Sequence, residues 1–201
     1  MARPDRDRFL DGAIVVEEKL DGANVGLSVS GAGEVRAQNR GNYLSPGAHP
    51  QFGPLWGWIA ERERELREAL QGGLVVFGEW CYAVHSVRYS ALPDWFVAFD
   101  VYDRTAGRFY STQRRDRLLA TLRAQSAPRI GQGHFDLEAL VRMMDERASA
   151  FGAPKLEGLY LRKESADWLE SRAKLVRPDF VQQISEHWSR RPLEVNRLSP
   201  G

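Results

Sequence analysis

Two runs constrain the fold of this chain more than any others: LVVFGEWCY at 74–82 and DWFVAFDVYD at 94–103. Both are β-branched, aromatic and almost continuously apolar, so they read as buried strands around which a sheet must be built. Residues 13–19 and 24–30 read as strands around a turn at Asp21-Gly22. A second turn, SGAG at 30–33, leads to a strand at 34–39, and together these segments predict a small meander. After a loop rich in Gly and Pro at 40–54, apolar Leu55, Ile59, Leu66 and Leu70 lie opposite a charged face. That spacing predicts one amphipathic helix over 55–70, stopped by Gly72-Gly73. Further helices are expected from a cap at Ser111 or Thr112 to about Gln125, and from Asp136 to about Ala150. Short strands at 157–162 and 172–177 follow, and Pro178 can open a last helix reaching about Trp188. Strands, hairpins and helices without strict βαβ alternation indicate a single α+β domain, antiparallel sheets with flanking helices.

Composition narrows the function classes. Of 201 residues 43% are hydrophobic and 27% charged, values of a globular chain large enough for its own core. The net charge of +1 gives no global basic footprint for non-specific nucleic-acid binding, although a local groove is compatible with it. A lone cysteine, Cys81, can form neither an internal disulfide nor a multi-cysteine metal site. The charged start MARPDRDRFLDG lacks an apolar leader core, and no apolar run approaches the ~20 residues of a membrane span. The expectation is a cytoplasmic protein that does not bind membranes.

Lysine is the informative residue. Among 28 basic residues only Lys19, Lys155, Lys163 and Lys174 are lysines. A guanidinium cannot lose its proton in a protein and an ammonium can, so a nucleophilic role requires lysine. Lys19 ends an apolar run just before Asp21-Gly22. Glu79 interrupts the buried run VVFGEWCY, Glu157-Gly158 opens EGLYLR, and Lys174 sits in RAKLVRP. Charges on such strands are costly unless they are paired or hold a ligand. Singly each has an ordinary structural explanation; in this order and with these flanks, the four together point to a site.

These segments resemble the motifs of the covalent nucleotidyltransferases (ATP-dependent DNA ligases, RNA ligases and mRNA capping enzymes), and most of all the RNA ligase 2-type RNA ligases. EKLDGAN resembles the nucleophile motif Lys-x-Asp-Gly, with Asn24 five residues after Lys19 as in the RNA-ligase branch. QNRG, VVFGEW, FVAFDVYD, LEGLYLR and RAKLV are similar to the motifs that follow, in the same order, from residue 17 to 176. The resemblance implies a nucleotidyltransferase domain in which Lys19 attacks the α-phosphate of ATP and holds AMP as a phosphoramidate. An ordinary lysine, with a pKa of ~10.4, must shed its proton to attack, which burial and nearby positive charge promote. The resemblance further assigns Lys174 and Arg172 to transition-state charge, Glu79 to the ribose and Phe99 to the base. It places Glu157 near Mg2+ or Mn2+ and the α-phosphate, with Asp21 in the metal's outer shell. Glu18, Asn24 and Arg40 complete the nucleotide-binding set, Asn24 and Arg40 also serving the steps that join nucleic acid.

The chain departs from the pattern twice. RNA ligase 2-type enzymes carry a lysine where this chain has Arg172. Beyond the last motif only residues 178–201 follow, so the expectation is a nucleotidyltransferase domain without an OB-fold, its tail contributing His187, Trp188, Arg190 and Arg191 to RNA binding or Trp188 as a helix anchor. The partners implied are RNA ends, with a separate substrate-binding or end-healing protein left open. The alternatives are a non-catalytic nucleotide- or RNA-binding subunit and a ligase of nicked DNA.

Overall fold

The computed structural model describes residues 3–178 and 193–200. The chain order is α1 (Arg3–Leu10), β1 (Ile14–Lys19), β2 (Ala23–Val29), β3 (Val35–Gln38), α2 (Gly53–Ala60), α3 (Glu63–Leu70), β4 (Leu74–Trp80), β5 (Phe96–Asp103) and β6 (Arg108–Phe109). It continues with α4 (Thr112–Thr121), β7 (Gln125–Ser126), β8 (Arg129–Gly133), α5 (Leu137–Glu146), β9 (Gly158–Glu164) and β10 (Leu169–Val176). The α+β class holds, and no barrel is present among the described residues.

The strands form two sheets, ordered β10-β9-β1-β8 and β3-β2-β4-β5-β6. Every pairing is antiparallel except that of the short β7 with β5. The expected meander is corrected here. β2 and β3 do form a hairpin, but β1 pairs with β8 and β9 and β2 with β4, so Lys19 and Ala23 belong to different sheets. The turn at 20–22 is a crossover. Leu20 is buried in a cluster with Cys81, Tyr89, Val97 and Phe151, and Gly22 lies so close to β4 that an added Cβ would sit 2.9 Å from the Trp80 carbonyl oxygen. A hairpin turn exposes such residues; this one buries an apolar anchor and passes under a neighbouring backbone.

The large sheet packs its core against α2, α3 and α4, with Leu55, Leu66, Leu70, Val76, Phe96 and Leu119 buried together. The small sheet packs against α1 and α5 through Phe9, Ile14, Leu140 and Met144. The single helix expected over 55–70 is two helices. Arg62 donates to Asp94 at 3.1 Å and to the Trp58 carbonyl, and stacks over the Trp58 ring, tying the chain at 61–62 to the start of β5. Ser111 caps α4 and Asp136 caps α5 as expected, each accepting a backbone N–H one turn on. Both helices end earlier than expected. Arg123 adopts a φ of 50°, a left-handed turn that sends the chain into β7. α1, β6, β7 and β8 were not anticipated, because a charged first helix, two-residue strands and a five-residue strand RIGQG with one apolar side chain leave no periodic signal. Beyond Pro178 itself, the last helix expected to Trp188 and the tail residues His187, Trp188, Arg190 and Arg191 lie outside the described residues.

Candidate active site

Lys19 is the last residue of β1 and pairs with Gly158, the first of β9. Its Nζ is in contact with Glu157 Oε1. Gly158 permits this arrangement, since any Cβ there would collide with the Leu175 carbonyl of β10. Across β9 and β10, Lys174 pairs with Tyr160, and its Nζ lies 5.5 Å from the Tyr160 ring centroid. The other sheet contributes Asn24 and Glu79, a cross-strand pair of β2 and β4. The site is therefore the seam where the ends of two sheets face each other.

Phe99 reaches the seam through a β-bulge. Phe77 pairs with Asp100 and Gly78 with Ala98, so the ladder skips Phe99. A bulged residue is re-aimed and its backbone groups lose their ladder partners. Here two buried arginines replace them: the Phe99 carbonyl accepts from Arg115 Nη1 at 2.8 Å and Arg162 Nη1 at 3.2 Å. Both guanidiniums are themselves neutralised. Arg115 forks onto Glu17 at 2.6 and 3.0 Å, while Arg162 holds Asp100 at 2.5 Å and Glu164 at 2.6 Å. Asp100 also takes Arg172 at 2.5 Å and the Tyr160 hydroxyl at 3.0 Å. Burial would strip Arg115 and Arg162 of their protons, but the carboxylates overcome it and hold both above the usual arginine range. Glu17, Asp100, Arg115, Tyr160 and Arg162 were missed by sequence reasoning. The available signal was a charge inside each otherwise apolar strand, Glu17 in IVVEEK and Asp100 in FVAFDVYD.

Glu18, Lys19, Leu20, Glu79, Phe99, Ala127, Tyr160 and Lys174 line an inner pocket. It opens into a groove of about 620 Å3 that adds Asn24, Arg40, Phe77, Phe109 and Arg172. Arg40 is presented by a tight turn in which Asn39 Oδ1 accepts the N–H groups of Gly41 and Asn42 at 3.0 and 2.9 Å. The structure thus brings Lys19, Glu79, Phe99, Glu157 and Lys174 together, and sets Asn24, Arg40 and Arg172 in the adjoining groove. Two expected residues have their carboxylates engaged elsewhere. Glu18 is buried and tied to the Ser149 hydroxyl and the Ala150 N–H. Asp21 Oδ2 accepts from the N–H groups of Ser86 and Val87, and its own N–H donates to the Tyr89 hydroxyl at 2.8 Å. The Asp-Gly turn is therefore gripped by the 86–89 loop. That loop is in turn fixed by buried Asn196, which accepts from Tyr89 N at 2.8 Å and donates to the Cys81 and Ala83 carbonyls.

The electrostatics are those of a carboxylate cluster short of solvent. Burial pushes Glu79 up to about 8 and Glu157 up to about 7, against the pull of Lys19. Burial and the neighbouring Lys19 charge lower Lys174. Glu157 Oε2 is buried without a hydrogen-bond partner among the described residues. An oxygen-seeking cation would satisfy that atom, although no group of three or more potential metal ligands clusters among the described residues.

A sequence model of the family described as RNA ligase matches residues 12–176. The fold is shared with Naegleria gruberi RNA ligase in its form with PPi, at 18% identity and a TM-score of 0.70, covering 92% of this chain and 55% of that one. A lysine-to-alanine mutant of the same enzyme with ATP and Mn gives 14%, 0.66, 92% and 54%; a lysine-to-methionine mutant with AMP and Mn gives 17%, 0.66, 90% and 54%. The chain spans about half the length of the structures it matches. No curated protein sequence matches it significantly.

Proposed function

The chain belongs to the RNA ligase family, and from that membership we propose that it is an ATP-dependent RNA ligase in which Lys19 is the residue that carries AMP. The observation supporting this most directly is the Lys19 amine at the mouth of a pocket walled by Phe99 and Tyr160, with Glu157 in contact and Lys174 opposite. In the first step the Lys19 nitrogen bonds to the α-phosphorus of ATP, the bond to pyrophosphate breaks, and the amine's proton passes to Glu157. Phe99 backs the adenine and Glu79 holds the ribose. Lys174 and Arg172 offset charge that develops on the phosphate. A divalent cation, Mg2+ or Mn2+, held at the free oxygen of Glu157 with Asp21 behind it, would supply further positive charge to the α-phosphate. AMP then passes to a 5′-phosphate, and a 3′-hydroxyl displaces it to join two RNA ends lying in the groove with Asn24 and Arg40.

Incubation with α-labelled ATP and Mg2+, followed by denaturation, tests the reading. Label should remain on the wild-type chain and vanish in Lys19→Ala. A wild type that takes none would favour a non-catalytic nucleotide- or RNA-binding subunit. Matched RNA and DNA nicks with 5′-phosphates then decide which strand is sealed, equal or better sealing of DNA overturning the RNA assignment.

A further inference from the structure

We propose that Phe77 is a stacking platform for a terminal nucleobase of the strand being joined, a subsite that rests on the ligase reading and lies outside the nucleotide pocket. Strand alternation puts Phe77 on the same face of β4 as Glu79, about 7 Å further along, and both line the groove. The residue opposite Phe77 on β2 is Gly26, a glycine in a strand interior, where glycine weakens pairing and marks close approach. A Cβ at Gly26 would sit 2.8 Å from Phe77 Cε1 and 3.0 Å from Cδ1. The missing side chain lets the ring settle against the β2 backbone, which backs one side of it while the ring remains half-buried in the groove wall. Phe109, 6.4 Å from it between ring centroids, is already covered by the Arg172 guanidinium at 4.3 Å.

The charges around the ring select the occupant. Arg40, Arg172 and Lys174 line the same groove. Of its two carboxylates, Asp100 is neutralised by Arg162 and Arg172, and burial disfavours the charged form of Glu79. A flat apolar surface among cations suits a base with its phosphates alongside, the arrangement by which proteins hold single-stranded ends. An isolated apolar peptide would bring no anion to Arg40, a groove cation that no carboxylate pairs among the described residues.

The test uses short RNA strands carrying 2-aminopurine at the 3′ end or at the phosphorylated 5′ end, mixed with the full chain without ATP. Stacking on Phe77 should quench one of the two, and the quenched end identifies which base is held. Phe77→Leu should abolish the quench and weaken joining of pre-adenylylated ends by about five- to 150-fold, the range for losing one base–aromatic stack. Its Lys19 labelling should stay within about twofold of wild type, which also shows that the variant is folded, and Phe77→Tyr should retain the quench. The proposal is overturned if Phe77→Leu quenches and joins like wild type, or if saturating ATP removes the quench, which would put the base in the nucleotide pocket. It is likewise overturned if an acidic peptide displaces the strand as readily as RNA does. Because the quench is read without ATP, a wild type that quenches but takes no label would end the ligase reading and leave the platform standing.

Discussion

Replacing Asn196 by alanine should unsettle a site that Asn196 never touches. The side chain is 3% exposed and makes three hydrogen bonds, from the Tyr89 N–H at 2.8 Å and to the carbonyls of Cys81 and Ala83 at 2.8 and 3.2 Å. Alanine leaves one buried donor and two buried acceptors without that partner, at roughly 1–3 kcal/mol each. Taking the low end gives about 3 kcal/mol, which in a domain of this size lowers Tm by about 6–12 °C. Tyr89 also supplies the hydroxyl that receives the Asp21 N–H, so loss of its backbone anchor propagates to the turn behind Lys19. Asn196→Asp is the informative control. It keeps an acceptor for Tyr89 but turns a carboxylate oxygen toward two carbonyls, so it should not rescue. The assay is near-UV circular dichroism melting, paired with AMP labelling at a temperature well below both transitions. A Tm within about 2 °C of wild type with unchanged labelling would refute the reasoning.

Arg115→Ala leaves Glu17 buried without its two short hydrogen bonds and with only Arg162 at 3.9 Å as counter-charge, and should destabilise by about 3 kcal/mol in urea titration, with the Glu17→Leu/Arg115→Met pair recovering much of the loss. Burial holds Glu79 at about 8 against an ordinary 4.5. The folded chain therefore keeps a proton that the unfolded chain has released, and stability of the nucleotide- and metal-free protein falls as pH rises from about 5 to 8. Melting across that range checks the sign, and Glu79→Gln should flatten the slope. Gly22→Ala forces a methyl to within 2.9 Å of the Trp80 carbonyl oxygen; about 1–3 kcal/mol of strain and at least a tenfold loss of labelling are expected, read by melting and by label retention.

The buried charge cluster behind the seam has a cost that the fold bears for geometry. Glu17, Asp100 and Glu164 face buried Arg115 and Arg162, with exposed Arg172 reaching Asp100 from the groove, and ion pairs as deep as the first three seldom repay their desolvation. What they provide is a fixed place for the Phe99 carbonyl that the bulge has orphaned. They also tie β9 of the small sheet to β5 of the large one, so the two halves of the site keep one spacing.

Local chemistry alone determined much of this protein. The strands at 74–80 and 96–103 follow from runs of β-branched and aromatic residues, the caps Ser111 and Asp136 from their hydroxyl and carboxylate, and Lys19, Glu79, Glu157 and Lys174 from charges where a buried strand tolerates none without a partner. Tertiary structure decided what depends on residues far apart in the chain. LDG reads as a hairpin turn, and only the burial of Leu20 and the approach of Gly22 to Trp80 make it a crossover. By residue type alone Phe99 is one more strand aromatic; the motif resemblance marks it for the base, and a ladder that skips one residue is what turns it into the groove. Asn196 reads as tail, because its three partners stand more than 100 positions earlier. Propensity and alternation act over a few residues; register, bulges and buried hydrogen bonds are set by whichever strand lies alongside.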